Sequence, residues 1–337
     1  MTGSYREGYS VGMVKIPMPL VALLIAVAVL GWSKAALPQT YPAKTVRVIV
    51  PLAAGGPTDV LARTISQNLT DTWGQAVVID NRPGANTNIG TVAVATSPPD
   101  GYTLLLTVNN LTINPSFYQN LPFDPFKDFS PVTLFATSPL ILVVHPSVNA
   151  KSVKELIALA RARPRDLLLG SPGNGSPPHL AGEMFNTLAR VRLTHVPYKG
   201  ITQAVSDLMG GQLALMFPGS PIALPHAKSG KLRALATTGA KRTAAAPELP
   251  TIAEAALPNY EVSLWYGLLA PANTPPAIVQ RLHTEVTRII ALSAVKERWA
   301  ALGAEAVNTT PEQFTAFLKT DIVKWQKVVR ESGARMD

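Results

Sequence analysis

The feature that most constrains this chain is a repeated alternation of short β-branched runs with single amphipathic helices, from residue 46 almost to the C-terminus. Residues 46–51 (VRVIVP) fit a buried strand. From about Thr58, Leu61, Ile65, Leu69 and Trp73 recur every four residues along one helix face, and Gly74 is placed to stop that helix. Residues 77–80 read as a second strand, 89–96 as a second helix and 102–108 (YTLLLTV) as a third strand. Buried strands separated by single helices predict parallel βαβ units with helices on both faces of the sheet.

A second block repeats the pattern. A strand is expected at 140–144, then a helix opened by a Ser152–Glu155 capping box ahead of Val153, Leu156, Ile157 and Ala160. Strands follow at 167–170, 192–196, 213–217 and 232–237, and a long one at 262–270 (VSLWYGLLA). Helices over 275–292 and after a Thr310–Gln313 capping box complete the chain. Asp124 and Asp128, set among aromatics in LPFDPFKDF, read as a packed loop rather than a carboxylate pair. Long strands near 140 and 265 predict an α/β protein of two doubly wound lobes. Residues 36–140 and 262–337 form one lobe and 141–261 the other, and two crossing strands make a hinge of the kind that closes on a ligand.

The N-terminal 1–35 read as an export signal, which places the mature protein in the periplasm. Arg6 and Lys15 precede an apolar run over 16–31, and Ser33 and Ala35 put small residues at the −3 and −1 positions of a cleavage site. The run falls short of the roughly 20 residues that a spanning helix needs. Translation from Met13 would leave the mature chain unchanged. The sequence has no cysteine, which rules out disulfides, thiolate zinc sites and cysteine nucleophiles. Arg6, Lys15 and Lys34 against Glu7 account for +2 of the formal charge of +9, so +7 stays with the mature chain. That charge steers anions. The basic residues are scattered without a recognition motif, so no nucleic acid is expected. His145, His179, His195, His226 and His283 show no metal-ligand spacing, no G-x-S-x-G elbow is present, and neither metal nor cofactor is expected.

Three strand-to-helix loops stand out. In PLAAGGPTD (51–59), Gly55 and Gly56 permit close backbone approach, and the amides of Gly56, Thr58 and Asp59 with the Thr58 hydroxyl would offer donors to an anion at a helix N-terminus. The same residues also read as a tight turn with Thr58 or Asp59 as N-cap. It is not a P-loop, because no Gly-Lys-Ser/Thr follows. GSPGNGSPPH (170–179) places Ser176 as N-cap and Pro177 at the first helical position, and offers Ser171, Asn174, Gly175 and Ser176 to a ligand or to a plain turn. HVPYKG (195–200) presents the Tyr198 hydroxyl and the Lys199 ammonium, the latter either to a carboxylate or to solvent. Arg82 reads as structural.

In order, YPAKTVRVIVPLAAGGPTDVLAR, NRPGA, PDGYTLLL, SPGNGSPPHLAGEMF, HVPYKG, LPHAKSGKLRALA and APANTPPAIV resemble the Bug receptors, the periplasmic solute-binding components of tripartite tricarboxylate transporters. The resemblance covers essentially all of the chain after residue 35. It implies a type II periplasmic-binding-protein fold, a carboxylate enclosed between the lobes, no enzymatic activity, and delivery to a small and a large membrane subunit. Carried over by position, it points to Ala54, Gly55, Gly56, Thr58 and Asp59, to Gly84, Ala85 and Asn86, and to Thr107 and Asn109. In the second lobe it points to Ser171, Asn174, Gly175, Ser176 and His179, and to Pro197, Tyr198 and Lys199. A monomer is expected.

The chain departs from the family pattern in four places. Pro57 stands where a third glycine is common, Pro178 follows Pro177, Asn86-Thr87 replaces small residues, and Pro218-Gly219 stands where an acid often follows. Each proline removes an amide donor. Without the acid, a ligand ammonium would lack a counter-charge in a closed cleft, so a non-amino di- or aromatic carboxylate is expected. A receptor docking on a membrane sensor kinase would look the same in sequence. An enzyme on this scaffold would need a general base beside the ligand, and none is expected.

Overall fold

The computed structural model describes residues 41–335 together with Gly3 and Gly8. Its compact body is Lys44–Asp337. The export signal expected over 1–35 lies outside the described residues, Gly3 and Gly8 apart. No helix among the described residues is long and apolar enough to cross a membrane.

The body opens as the sequence predicts. β1 (Val46–Val50), α1 (Pro57–Trp73), β2 (Val77–Asn81), α2 (Asn88–Ala95) and β3 (Thr103–Val108) alternate strand and helix, with β1 parallel to both β2 and β3. Gly74 ends α1 at φ 64°, its amide returning to the Thr70 carbonyl. A short α3 (Asn110–Ile113) leads to β4 (Phe129–Pro139), an eleven-residue strand. The sequence pattern predicts a strand only from 140. FSPVTLFATSP lacks strict alternation because its central residues are covered on both faces and its pairing with a later strand slips twice.

The chain then builds a second sheet from β5 (Ile141–Val144), α4 (Val153–Ala162), β6 (Leu168–Ser171), α5 (Pro177–Ala189), β7 (Thr194–Pro197), α6 (Ile201–Met209), β8 (Leu215–Met216), α7 (Ser220–Lys228), β9 (Arg233–Thr237) and α8 (Ile252–Ala255). Its strand order is β7-β6-β8-β5-β9. At α4, Ser152 accepts the Glu155 amide at 3.2 Å, but Glu155 Oε2 accepts from Lys151 N rather than from Ser152 N. The expected reciprocal capping box is therefore only half formed.

β10 (Ser263–Pro271) returns to the first sheet, followed by α9 (Pro276–Ala291), α10 (Ser293–Ala301), β11 (Glu305–Ala306) and α11 (Pro311–Ser332). That sheet reads β11-β4-β10-β3-β1-β2. The sheets are mixed rather than wholly parallel. β10, which re-enters the first sheet, runs antiparallel to β3 and β4, and β5, which enters the second, runs antiparallel to β8 and β9. The Thr310–Gln313 capping box opening α11 is complete.

Where the chain passes between the sheets, fully buried Thr238 holds both crossing segments. Its amide and hydroxyl meet the Leu140 carbonyl and amide at 2.9 and 2.8 Å, and its carbonyl takes the Val262 amide at 2.9 Å. Each sheet has its own apolar core. α11 joins them: Phe314 and Leu318 pack into the first, while Trp325, Val328 and Val329 pack into the second.

Candidate functional site

Three loops leave the carboxyl ends of β1, β2 and β3, which lie side by side, so all three open on one edge of the first sheet. In the first, Ala54 and Gly55 are exposed and Gly55 adopts φ 85°. The N-cap of α1 is Gly56, with Pro57 in the first turn and no side chain capping the helix; neither Thr58 nor Asp59 is the cap. Among the described residues the amides of Gly56, Thr58 and Asp59 have no acceptor. These donors, aligned with the helix dipole, form a place suited to an anion.

Asp59 does not add its charge to that place. Its buried carboxylate folds back to accept Gly55 N at 3.0 Å and Arg63 Nε at 2.8 Å. Arg63 also reaches Asn81 Oδ1, and Asn81 holds the Leu52 carbonyl at 3.1 Å. Burial acts to raise the Asp59 carboxyl, but hydrogen bonds from Arg63, Gly55 and Asn81 outweigh it and hold the group below the usual carboxylate range. The acid is thus a charge-compensated brace of the loop.

In the second loop, Ala85, Asn86 and Thr87 take φ values of 45°, 52° and 77° in succession, a left-handed run that is costly for residues with a Cβ. An asparagine network holds it. Asn110 donates to Asn86 Oδ1 and Asn86 to Asn114 Oδ1, each at 2.7 Å, while Asn114 donates to the Asn86 carbonyl and to Asn88 Oδ1. Gly84 and Ala85 stay exposed at the rim. In the third loop Asn109 is fully buried and ties the returning strand, donating to Ser263 O and accepting Trp265 N, each at 3.0 Å. Thr107 is also fully buried, and its hydroxyl has no partner among the described residues.

In the second sheet, the loops after β6 and β7 leave adjacent parallel strands and are joined by Tyr198 N donating to Ser171 O at 2.9 Å. As predicted, Ser176 caps α5, and Pro177 and Pro178 follow it. The amides of this loop are largely used within it. Gly173 N donates to Ser171 Oγ, Gly175 N to His179 Nδ1, Ser176 N to Gly173 O and His179 N to Ser176 Oγ. With no N–H on either proline, the α5 terminus is closed where the α1 terminus is open. Ser171 is fully buried with its hydroxyl 2.6 Å from His195 Nε2; Asn174 and Ser176 are half-buried. Tyr198 donates its hydroxyl to Asp207 Oδ2 at 2.7 Å. Pro197 and Lys199 are exposed, and Lys199 has no ion-pair partner among the described residues.

Sequence reasoning thus reached the loops but missed what supports them. Arg63 stands four residues from Asp59 on one helix face, a spacing that signals the pair. Asn88, Asn110 and Asn114 carry no comparable signal, since their meeting depends on how the second and third loops fold together. Arg82 pairs with Asp80 at 2.9 Å. No group of three or more histidine or acidic residues among the described residues is arranged to hold a metal.

The family model for the tripartite tricarboxylate transporter family receptor matches residues 61–334. The chain is 38% identical over 319 residues to the protein BugT of Bordetella pertussis, covering 94% of this chain and 98% of that one. Among solved structures it is similar to a Rhodopseudomonas palustris protein with adipate, at 37% identity and TM-score 0.77, covering 88% of this chain and all of that one. It is also similar to MatC from the same organism with bound malate, at 32% identity and TM-score 0.72, covering 86% and 100%.

Proposed function

The chain belongs to the tripartite tricarboxylate transporter family receptors, the Bug receptors, and on that premise we propose that it encloses a small non-amino dicarboxylate between two lobes and presents it to a membrane transporter. The family is one of periplasmic solute-binding proteins of type II fold, not of enzymes. One lobe comprises the first sheet with its helices, from 44 to 140 and from 262 onward; the other is 141–261. The protein acts in the periplasm, and its partners are the small and large membrane subunits of a tripartite transporter.

The observation that carries this reading is the uncapped N-terminus of α1. Its free amides at Gly56, Thr58 and Asp59 sit on the loop edge of the first sheet and receive one carboxylate. Lys199, exposed and without an ion-pair partner among the described residues, meets a second acid group from the other lobe when the lobes close. The only acid among the candidate residues, Asp59, is already matched by Arg63, so an ammonium group would find no partner. The relatives solved with adipate and with malate hold ligands of the same class. A few charge-assisted hydrogen bonds at ~1.5–3 kcal/mol each reach the roughly 8 kcal/mol of micromolar binding.

A thermal-shift screen of the purified protein against mono-, di- and tricarboxylates, aromatic acids and amino acids tests the reading. A concentration-dependent rise with dicarboxylates alone supports it, since a ligand that binds only the folded state stabilises it. Selective stabilisation by aspartate or glutamate would overturn the non-amino assignment. No shift with any acid, and none released on denaturation by mass spectrometry, would overturn the carboxylate class.

A further inference from the structure

Beneath the second-lobe loop lie two stacked imidazoles that make no use of their proton chemistry in the scheme above. The His179 and His195 rings are 3.8 Å apart, centroid to centroid, and inclined by 14°. His179 is buried, and its Nδ1 accepts the Gly175 amide at 3.0 Å. His195 Nε2 lies 2.6 Å from Ser171 Oγ, and that oxygen in turn bonds both the amide and the carbonyl of Gly173. Gly173 and Gly175 have φ values of 135° and 69°, so the loop turns through two left-handed positions, each beside a histidine-linked bond.

The chemistry of these contacts fixes a protonation state. Because His179 Nδ1 accepts a hydrogen bond, it carries no proton, and the hydrogen of the neutral ring is on Nε2, 3.6 Å from Glu183 Oε1. A second proton has only Nδ1 to occupy, and there it would displace the Gly175 amide. A proton on His195 would set a cation against the face-stacked ring, and the pair cannot hold two charges at this distance. Of the ionisable groups around the pair, Glu183 acts on both rings. Glu183 is on the same helix, and Arg165, Arg192 and, from α11, Glu331 line a 670 Å³ groove that reaches Glu183 from solvent. Burial first, and His179 second, push His195 down to about 4, with Glu183 acting weakly the other way.

We infer that His179 and His195 are positioning residues that hold the 171–176 loop in its binding shape only while both rings are neutral, so that protonation of the pair loosens the loop and weakens ligand retention. The effect on the ligand rests on the proposed reading of this loop as part of the carboxylate site; the effect on the loop does not.

Hydrogen exchange at the Gly175 amide, followed by NMR in the full protein, reads the brace without any ligand. In the wild type, its protection should fall by about tenfold or more between neutral pH and about 4, where His195 takes up its proton, after correction for intrinsic exchange. His179→Phe keeps a ring in the stack but removes the acceptor, and should lose the protection already at about pH 7. His179→Asn offers a carboxamide oxygen that does not titrate, and should stay protected at both. Equal protection in the wild type at the two pH values, or in His179→Phe and wild type at the higher one, would overturn the inference. Calorimetry with adipate as the probe reads the coupling: the wild type should lose more affinity on acidification than His179→Asn, the probe's own protonation being common to both. Parallel losses would overturn the coupling. Failure of adipate and of every other carboxylate to bind, with Gly175 behaving as expected, would refute the ligand reading and leave the brace standing.

Discussion

The carboxylate of Asp59 accepts the amide of Gly55 at 3.0 Å, turning back from the first turn of α1 onto the loop that precedes it. The same carboxylate holds Arg63 at 2.8 Å. The acid nearest the proposed anion site is therefore neutralised and points its charge into the scaffold, while the helix amides beside it stay open. Asp59→Ala should free Gly55 and leave Arg63 without its ion-pair partner, with Asn81 alone to meet it. Stability in urea should fall by ~1–3 kcal/mol, and carboxylate affinity by about tenfold or more. Asp59→Asn, which keeps an acceptor for Gly55, should retain more of both. Unchanged binding by Asp59→Ala would remove the loop from the site.

Acid should destabilise this protein well before its carboxylates protonate. His195 has a folded pKa of about 4 against an ordinary value of 6.5. Between those values the unfolded chain binds a proton that the folded chain refuses, so stability rises with pH across this window. The contribution is fully present above 6.5 and is lost as pH falls to about 4. At 1.36 kcal/mol per pH unit, discounted for solvent screening of a partly exposed ring, this amounts to ~1–2 kcal/mol. Denaturation midpoints measured across that range for the wild type and His195→Gln should diverge at high pH and converge in acid. Equal slopes would contradict the assignment.

Two glycines with the same backbone angle separate strain from contact. Gly74 and Gly303 both have φ 64°, but a Cβ at Gly74 meets nothing, whereas at Gly303 it would lie 2.8 Å from Pro221 Cδ and 2.9 Å from Ser220 Cβ. That contact sets a strand-linked turn of the first sheet against α7 of the second, beside the crossing strand through Ser138 Oγ donating to Gly303 O. Gly74→Ala should cost about 1 kcal/mol from the left-handed conformation alone. Gly303→Ala should cost at least ~1 kcal/mol more from overpacking. Equal losses in guanidinium denaturation would show that the contact relaxes freely.

Among the described residues, Asp321 is the most buried acid, 2% exposed. Its Oδ2 accepts Thr112 Oγ1 at 2.7 Å and the indoles of Trp265 and Trp325 at 3.0 and 3.1 Å, and its Oδ1 lies 2.7 Å from Lys324 Nζ. It joins α3, the returning strand β10 and α11. Asp321→Ala would leave two buried indole N–H groups without an acceptor and should cost about 3–5 kcal/mol, with a shifted tryptophan emission spectrum. A loss under about 1 kcal/mol would mean that water replaces the carboxylate.

The elements built on local pattern were legible in the sequence. α1 follows from the four-residue recurrence of Leu61, Ile65, Leu69 and Trp73, and its end from Gly74. The Ser176 cap and the Thr310–Gln313 box follow from side chains three residues apart. What depended on distant pairing was not legible. β4 carries no alternation because it is covered on both faces, and the antiparallel return of β10 follows from topology rather than from its own residues. At the site, the loops were found by their glycines. That the α5 terminus is closed and the α1 terminus open was not, because closure depends on where His179 Nδ1 and Ser171 Oγ come to rest. Nor does the sequence show that the Asn109 side chain ties down the crossing strand β10.

A crystal structure of the protein with the dicarboxylate selected by the thermal-shift screen tests the central claim most directly. The account predicts a ligand carboxylate oxygen at ~2.7–3.2 Å from the amides of Gly56, Thr58 or Asp59, with the Lys199 ammonium turned to the second acid group. A ligand bound with no oxygen at the α1 terminus, or held instead by side-chain cations elsewhere, would contradict it.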